Sequence, residues 1–186
     1  MNKACDPATF ATAVRHSPLS RESEPYSDST TAFDEFRGII YDTIVHPPQI
    51  VIDTNVLASA LMSRRGASFR LLSLIDSGRF QINVSVPLVL EYEDACKRLS
   101  EKTNLADDDI DAILDYVCQV ANRRWIHFLW RPLLNDPKDE MVLELAVAAS
   151  CEYLVTFNGK DFRGAEQFGI RFVTPAEFLE EIGEPP

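Results

Sequence analysis

The sequence predicts an α/β fold of three layers, with helices covering both faces of a central, mainly parallel sheet. Three observations carry this prediction: short apolar, β-branched runs recur along the chain, stretches with apolar residues at helical spacing separate them, and the links between the two are short. The first such run, Gln49-Ile50-Val51-Ile52, reads as a strand buried on both faces. It leads into Asp53-Thr54-Asn55, which sets an acid and an amide at the carboxyl end of a strand, where parallel sheets bind ligands.

The other elements follow in order. Gly66 to Ser77 places Phe69, Leu71, Leu72, Leu74 and Ile75 on a helix that stops at Gly78, and Phe80 to Val84 is a second strand. Ser85 as cap and Pro87 in the first turn open a helix carrying Leu88, Leu90, Glu91, Ala95 and Leu99. Asp107-Asp108-Asp109 puts acids at the favourable end of the next helix, through Val120. Trp125 to Trp130 alternates imperfectly and is expected as a strand. Arg123-Arg124-Trp125 resembles a basic-aromatic nucleic-acid contact, but a Trp125 that leads into an apolar strand is expected in the core. Asp136-Pro137 opens a helix whose small residues, through Ala149, permit close packing on a sheet. Tyr153 to Thr156 and Ile170 to Val173 are strands, and Pro175 to Ile182 is a final helix.

Upstream, residues 2 to about 31 are rich in Ser, Thr, Pro, Asp and Glu and read as a flexible extension. Phe33, Phe36, Ile39, Ile40 and Ile44 recur at helical spacing, so an amphipathic docking helix is expected over residues 33–45, ended by His46-Pro47-Pro48. The expected division is an extension over residues 1–48 and one domain over residues 49–186.

A net charge of -11 and a pI near 4.7 argue against a protein that coats nucleic acid generally, yet leave room for a nuclease whose acids hold cations. Cys5, Cys96, Cys118 and Cys151 lie far apart without paired spacing, which suggests neither a zinc knuckle nor a redox motif and fits a reducing cytosol. No run approaches the roughly 18 apolar residues of a membrane span. A cytoplasmic location is expected.

Each acid has an ordinary structural explanation. Asp53 could cap a turn, and a helical Glu91 commonly faces solvent. Asp136 before Pro137 is a good helix cap, Asp139 at the third helical position meets the helix dipole, and Lys138 and Glu140 beside it read as solvated neighbours. Asn158 and Asp161 suit turns around Gly159. The combination adds something, because caps need not all fall where strands end or adjoining helices begin. Asp53, Glu91 and Asp139 could converge there, where their mutual repulsion calls for a divalent cation. Oxygen-only ligands select a hard ion, Mg²⁺ or Mn²⁺.

These residues, taken as Val51-Ile52-Asp53-Thr54-Asn55, Val89-Leu90-Glu91, Asp136-Pro137-Lys138-Asp139-Glu140 and Tyr153-Leu154-Val155-Thr156-Phe157-Asn158, make residues 49 to 182 resemble the PIN-domain ribonucleases. Many of that family look like toxin halves of prokaryotic toxin-antitoxin pairs. The resemblance implies Asp53, Glu91 and Asp139 as the metal-site acids, with Asn55 and Thr156 as polar supports. It further implies RNA as the substrate and a cognate antitoxin as a partner. The family often carries a fourth acid where this chain has Asn158, which weakens attraction for a second cation unless Asp161 compensates.

The leading expectation is therefore metal-dependent hydrolysis of RNA, with Arg64, Arg65, Arg70, Lys160 and Arg163 as candidate phosphate grips and no histidine in a catalytic role. His127 is expected as a structural strand residue. Two rivals stand beside it. A metal-dependent phosphatase with an aspartate nucleophile is disfavoured by Asn55, where a second aspartate is usual. A catalytically weak protein-binding module is motivated by Asn158, the acidic charge and residues 33–45. Exposed apolar helix faces would suit a homodimer.

Overall fold

The computed structural model describes residues 46–100 and 106–185. The expected helix over residues 33–45 and nearly all of the expected extension lie outside the described residues. Five strands form one sheet in which every neighbouring pair is parallel: β1 (Gln49–Ile52), β2 (Gln81–Val84), β3 (Asn122–Arg123), β4 (Tyr153–Val155) and β5 (Arg171–Val173), in the order β3-β2-β1-β4-β5. Among the described residues six helices accompany them: α1 (Thr54–Met62), α2 (Ala67–Leu72), α3 (Val86–Ser100), α4 (Asp107–Val120), α5 (Pro137–Ala148) and α6 (Pro175–Glu181). The expected three-layer α/β architecture is present.

Strand β1 occupies the centre. Ile50, Val51 and Ile52 are buried, as a strand covered on both faces must be, and Val51 stands opposite Leu154 in the register of β1 with β4. The β1 main chain continues one residue beyond the strand, where the Asp53 N–H donates to the Val155 carbonyl at 2.9 Å. Thr156 is fixed in the same way by the Val173 carbonyl at 2.8 Å, so Asp53 and Thr156 arrive side by side at the carboxyl edge of the sheet.

Two elements depart from expectation. The Gly66 to Ser77 helix is regular only over α2, after which Leu74 and Ile75 donate to carbonyls three residues back while the Ser73 and Ser77 hydroxyls bond the Arg70 and Leu74 carbonyls. Those hydroxyls compete for acceptors that an α-helix needs, and the turns tighten. Gly78 then reverses the chain at φ 77°, a left-handed conformation that suits glycine.

The second departure is a correction. Trp125 to Trp130 is not a strand, and Trp125 is not core: it is 80% exposed. Strand β3 ends at Arg123 because its neighbour β2 ends at Val84, opposite it in the ladder, and the Arg124 N–H takes the Val84 carbonyl at 2.8 Å. Beyond that point Ser85 starts α3, its hydroxyl accepting from the Leu88 N–H at 3.4 Å, so an edge strand has nothing left to pair with. His127 accordingly lies in an exposed loop rather than in a strand.

Helix α5 carries the other correction. Glu140 is not solvated. It is 5% exposed and accepts the Leu133 and Leu134 N–H groups at 2.7 and 3.2 Å. Glu144, one turn on, is 2% exposed and accepts from the Trp130 N–H at 3.0 Å and from both Arg131 Nε and Nη2 at 3.1 and 3.0 Å. Two buried carboxylates on one helix face thus clamp the loop after β3 onto α5, each satisfied by several donors as burial requires.

Candidate functional site

The site grows from the carboxyl ends of β1 and β4. Asp53 stands at the start of α1, but its side chain makes no capping hydrogen bond to that helix. Its Oδ2 instead accepts from the Thr156 hydroxyl at 2.6 Å and from Asn55 Nδ2 at 2.7 Å. Asn55 Nδ2 also reaches Thr156 Oγ1 at 3.2 Å, while its Oδ1 receives the Phe157 N–H at 3.3 Å. Asn158 joins through its backbone, its N–H donating to Thr156 Oγ1 at 2.9 Å. Asp53, Asn55 and Thr156 are therefore one hydrogen-bonded unit that joins β1 to β4.

Burial raises the Asp53 pKa above the ordinary carboxylate value, and the negative charge of Glu91 raises it further, against the Thr156 hydroxyl and the backbone amides of Thr54 and Asn55, which favour the anion. Asp139, at the start of α5, is pushed up to about 6, first by burial and then by the charges of Asp136, Asp53, Asp161 and Glu91. The acids singled out in the sequence thus stand close enough to act on one another electrostatically. They are not equal in role. Asp136 caps α5, its Oδ1 accepting from the Lys138 N–H at 2.9 Å. Asp161 lies in the short 3-10 turn Gly159–Phe162, exposed to solvent, and Asn158 precedes that turn, also exposed.

Glu91 projects from α3, largely covered, with Oε1 3.4 Å from Lys138 Nζ and Oε2 buried without a hydrogen-bond partner. Tyr92, the next residue, was not singled out in the sequence, yet it is buried and its hydroxyl donates to the Ile52 carbonyl. That bond ties α3 to the last residue of β1 and sets the Glu91 turn beside the Asp53 turn. A tyrosine on an apolar helix face gives no such signal by itself. Lys138 was also missed as a partner, because its contact with Glu91 joins α5 to α3 across 47 residues of sequence.

Among the described residues no three acidic, His or Cys side chains form a ready-made metal cage. The chemistry of the donors nevertheless fits a hard cation: an orphaned buried carboxylate oxygen on Glu91, oxygen donors throughout, and Asp53 and Asp139 carboxyls whose pKa values are raised by burial and by neighbouring negative charge. Of the candidate phosphate grips, Arg70 is engaged elsewhere, paired with Glu184 at 2.8 Å.

The Thr156 hydroxyl is the hinge of the β1–β4 unit. In Thr156→Val, which keeps the shape and removes the donor, stability at pH 7.5 is expected to fall by about 1.5–3 kcal/mol because a buried carboxylate loses a hydrogen bond. Urea unfolding measures this, and a loss below about 0.5 kcal/mol would show that Asn55 alone satisfies Asp53.

A family model for the PIN domain matches residues 49–160, which is 112 of the 186 residues. The chain belongs to the PIN-domain family. Members of this family are in general nucleases that act on nucleic acid and typically use divalent metal ions. No curated protein matches the chain. Among the described residues no helix is long and apolar enough to cross a membrane.

Proposed function

We propose that this protein is a metal-dependent endoribonuclease, and that it acts as the toxin of a toxin-antitoxin pair. The single observation that carries the nuclease reading is the junction of β1 and β4, where the buried Asp53 carboxylate is held by Thr156 and Asn55 within electrostatic reach of Glu91 and Asp139. Asp53, Glu91 and Asp139 would hold Mg²⁺ or Mn²⁺, in part through water that such ions retain. When bound, the ion supplies acidification of a water and stabilisation of charge on the phosphate. The chain's own residues do the rest. Thr156 and Asn55 hold Asp53 in one orientation before substrate arrives, Tyr92 fixes the turn of α3 that carries Glu91, and Lys138 offers an ammonium group beside the acids.

The experiment is cleavage of an unstructured RNA with Mg²⁺ or Mn²⁺, against chelator and against the Asp53→Asn variant. Growth arrest on expression of the wild type, absent with Asp53→Asn, tests the toxin role. An antitoxin would then be expected to cover the acidic cleft. A second reading, a catalytically weak binding module, is favoured by Asn158 in place of a fourth acid and by the Glu91–Lys138 pair, which partly neutralises the site without metal. Turnover with metal no greater than that of the chelated control would favour it.

Metal binding also has a signature in stability. Burial and the neighbouring negative charges push the Asp139 pKa up to about 6 from an ordinary 3.8, so the folded state holds its proton more tightly. Its effect on stability therefore declines as pH rises from about 4 to about 6, and at neutral pH the ionised Asp53 and Asp139 carboxylates oppose folding. A cation relieves that opposition. Saturating Mn²⁺ is expected to raise Tm at pH 7.5, by about 2.7 kcal/mol of stabilisation at a hundredfold excess over Kd, and to raise it much less at pH 5, where protons compete. Equal shifts at both pH values would place the ion elsewhere.

A further inference from the structure

The segment from Arg123 to Trp130 combines features that do not suit a passive loop. Trp125, Phe128, Leu129 and Trp130 are 80%, 78%, 64% and 49% exposed, four large apolar side chains within six residues. Exposed large apolar residues clustered this closely along the chain mark a binding surface more often than singly scattered ones do. The patch is also built. At one end Arg124 Nε donates to the buried Asn83 Oδ1 at 2.8 Å, and at the other the Trp130 N–H is held by buried Glu144 and the Trp130 ring packs edge-on against Phe168 at 5.2 Å. The rings are exposed on an anchored backbone.

Charge says what fits it. The chain carries a net charge of -11, yet residues 122–134 contain three arginines and no acid; Arg131 is paired with Glu140 and Glu144, which leaves Arg123 and Arg124. Arg123 and Arg124 spend their hydrogen bonds on neutral acceptors, the Cys118 carbonyl and the Asn83 amide, so these contacts leave both positive charges uncompensated. Aromatic faces interleaved with cations are the means by which proteins hold unpaired bases and their phosphates. Position agrees. The loop leaves the carboxyl end of β3, and since all strands are parallel this is the edge at which β1 presents Asp53, two strand spacings or roughly 10 Å away in the sheet, and β4 presents Thr156, one spacing further. An acidic protein segment would meet the arginines as well, but would leave the flat rings without a stacking partner.

We propose that Arg123 to Trp130 is a stacking shelf for unpaired bases of RNA, which feeds single-stranded substrate toward the acidic site. The proposal rests on the nuclease reading for the use of the shelf, but not for its binding.

The chain's two tryptophans both lie in this segment, so tryptophan emission reports on it alone. The full chain is titrated in chelator with a fluorescein-labelled, unstructured 12-nucleotide RNA and with a duplex of the same sequence. Stacking is expected to quench tryptophan emission with the single strand only. The Trp125→Ala/Phe128→Ala variant is expected to bind the single strand about 10- to 100-fold more weakly by anisotropy, with duplex binding unchanged, while Trp125→Phe stays within about threefold of wild type. Unquenched emission in the wild type overturns the shelf without need of any variant. So does equal loss of single-strand and duplex binding, which would mean charge alone, or a shift from dimer to monomer in sedimentation with RNA affinity intact, which would mean the patch meets a second copy. The two proposals fail separately. Metal-dependent cleavage with unchanged KM in the double variant removes the shelf and leaves the nuclease; quenching without cleavage under any metal does the reverse.

Discussion

Asp53→Asn is expected to lower metal-dependent RNA cleavage about 1000-fold or more, the scale on which losing a preorganised charge at a reacting phosphate is felt. Asp53 Oδ2 accepts from both Thr156 and Asn55 at the β1–β4 junction, and the residue lies within electrostatic reach of both Glu91 and Asp139. An amide keeps the shape and an acceptor for Thr156, but loses the charge a cation requires. The same substitution is expected to stabilise the protein without metal. Burial and the Glu91 charge raise the Asp53 pKa, so its anion opposes folding at neutral pH, and the neutral amide removes that opposition. A rise of about 3 °C in Tm in chelator is the expected scale, together with loss of the Mn²⁺-induced shift. Activity within tenfold of wild type would remove Asp53 from the reaction, whatever happens to Tm.

The largest effect on stability is expected beyond the stretch that the family model matches. Phe178, on α6, is fully buried, with its ring edge-on to Phe80 at 5.3 Å and to Tyr153 at 5.2 Å. It therefore joins the C-terminal helix to the residue before β2 and to the first residue of β4. Phe178→Ala removes those contacts and opens a cavity that the sheet cannot collapse into, so a loss of about 3–5 kcal/mol is expected, or a fall in Tm of about 10 °C. Thr174 and Glu177 cap α6 reciprocally, which fixes where Phe178 enters the core. Differential scanning calorimetry reads the change. A loss under about 1 kcal/mol would mean that α6 is an ornament on a domain that ends near residue 160.

The strand-helix rhythm was legible because it is a local matter. Ile50-Val51-Ile52 announces a doubly covered strand by composition, and Asp136-Pro137 announces a helix start by chemistry confined to a few atoms. The failures share a cause. Trp125 to Trp130 has the composition of a strand, but whether an edge strand extends depends on where its neighbour stops, and β2 stops at Val84. Glu140 looks solvated on a helix, but it is buried, as is Glu144 one turn on, because the loop that leaves β3 is folded back onto them.

The candidate site divides along the same line. The sequence by itself determined the alternating strands and helices and the residue types that could bind a cation, since periodicity and capping act over a few residues. Only the tertiary structure decided that Asp53 bonds to Thr156 rather than capping α1, that Glu91 faces Lys138, and that the aromatic segment stands outside the core. Each of these joins groups tens of residues apart, and chain packing, which no short-range pattern encodes, sets which of them meet.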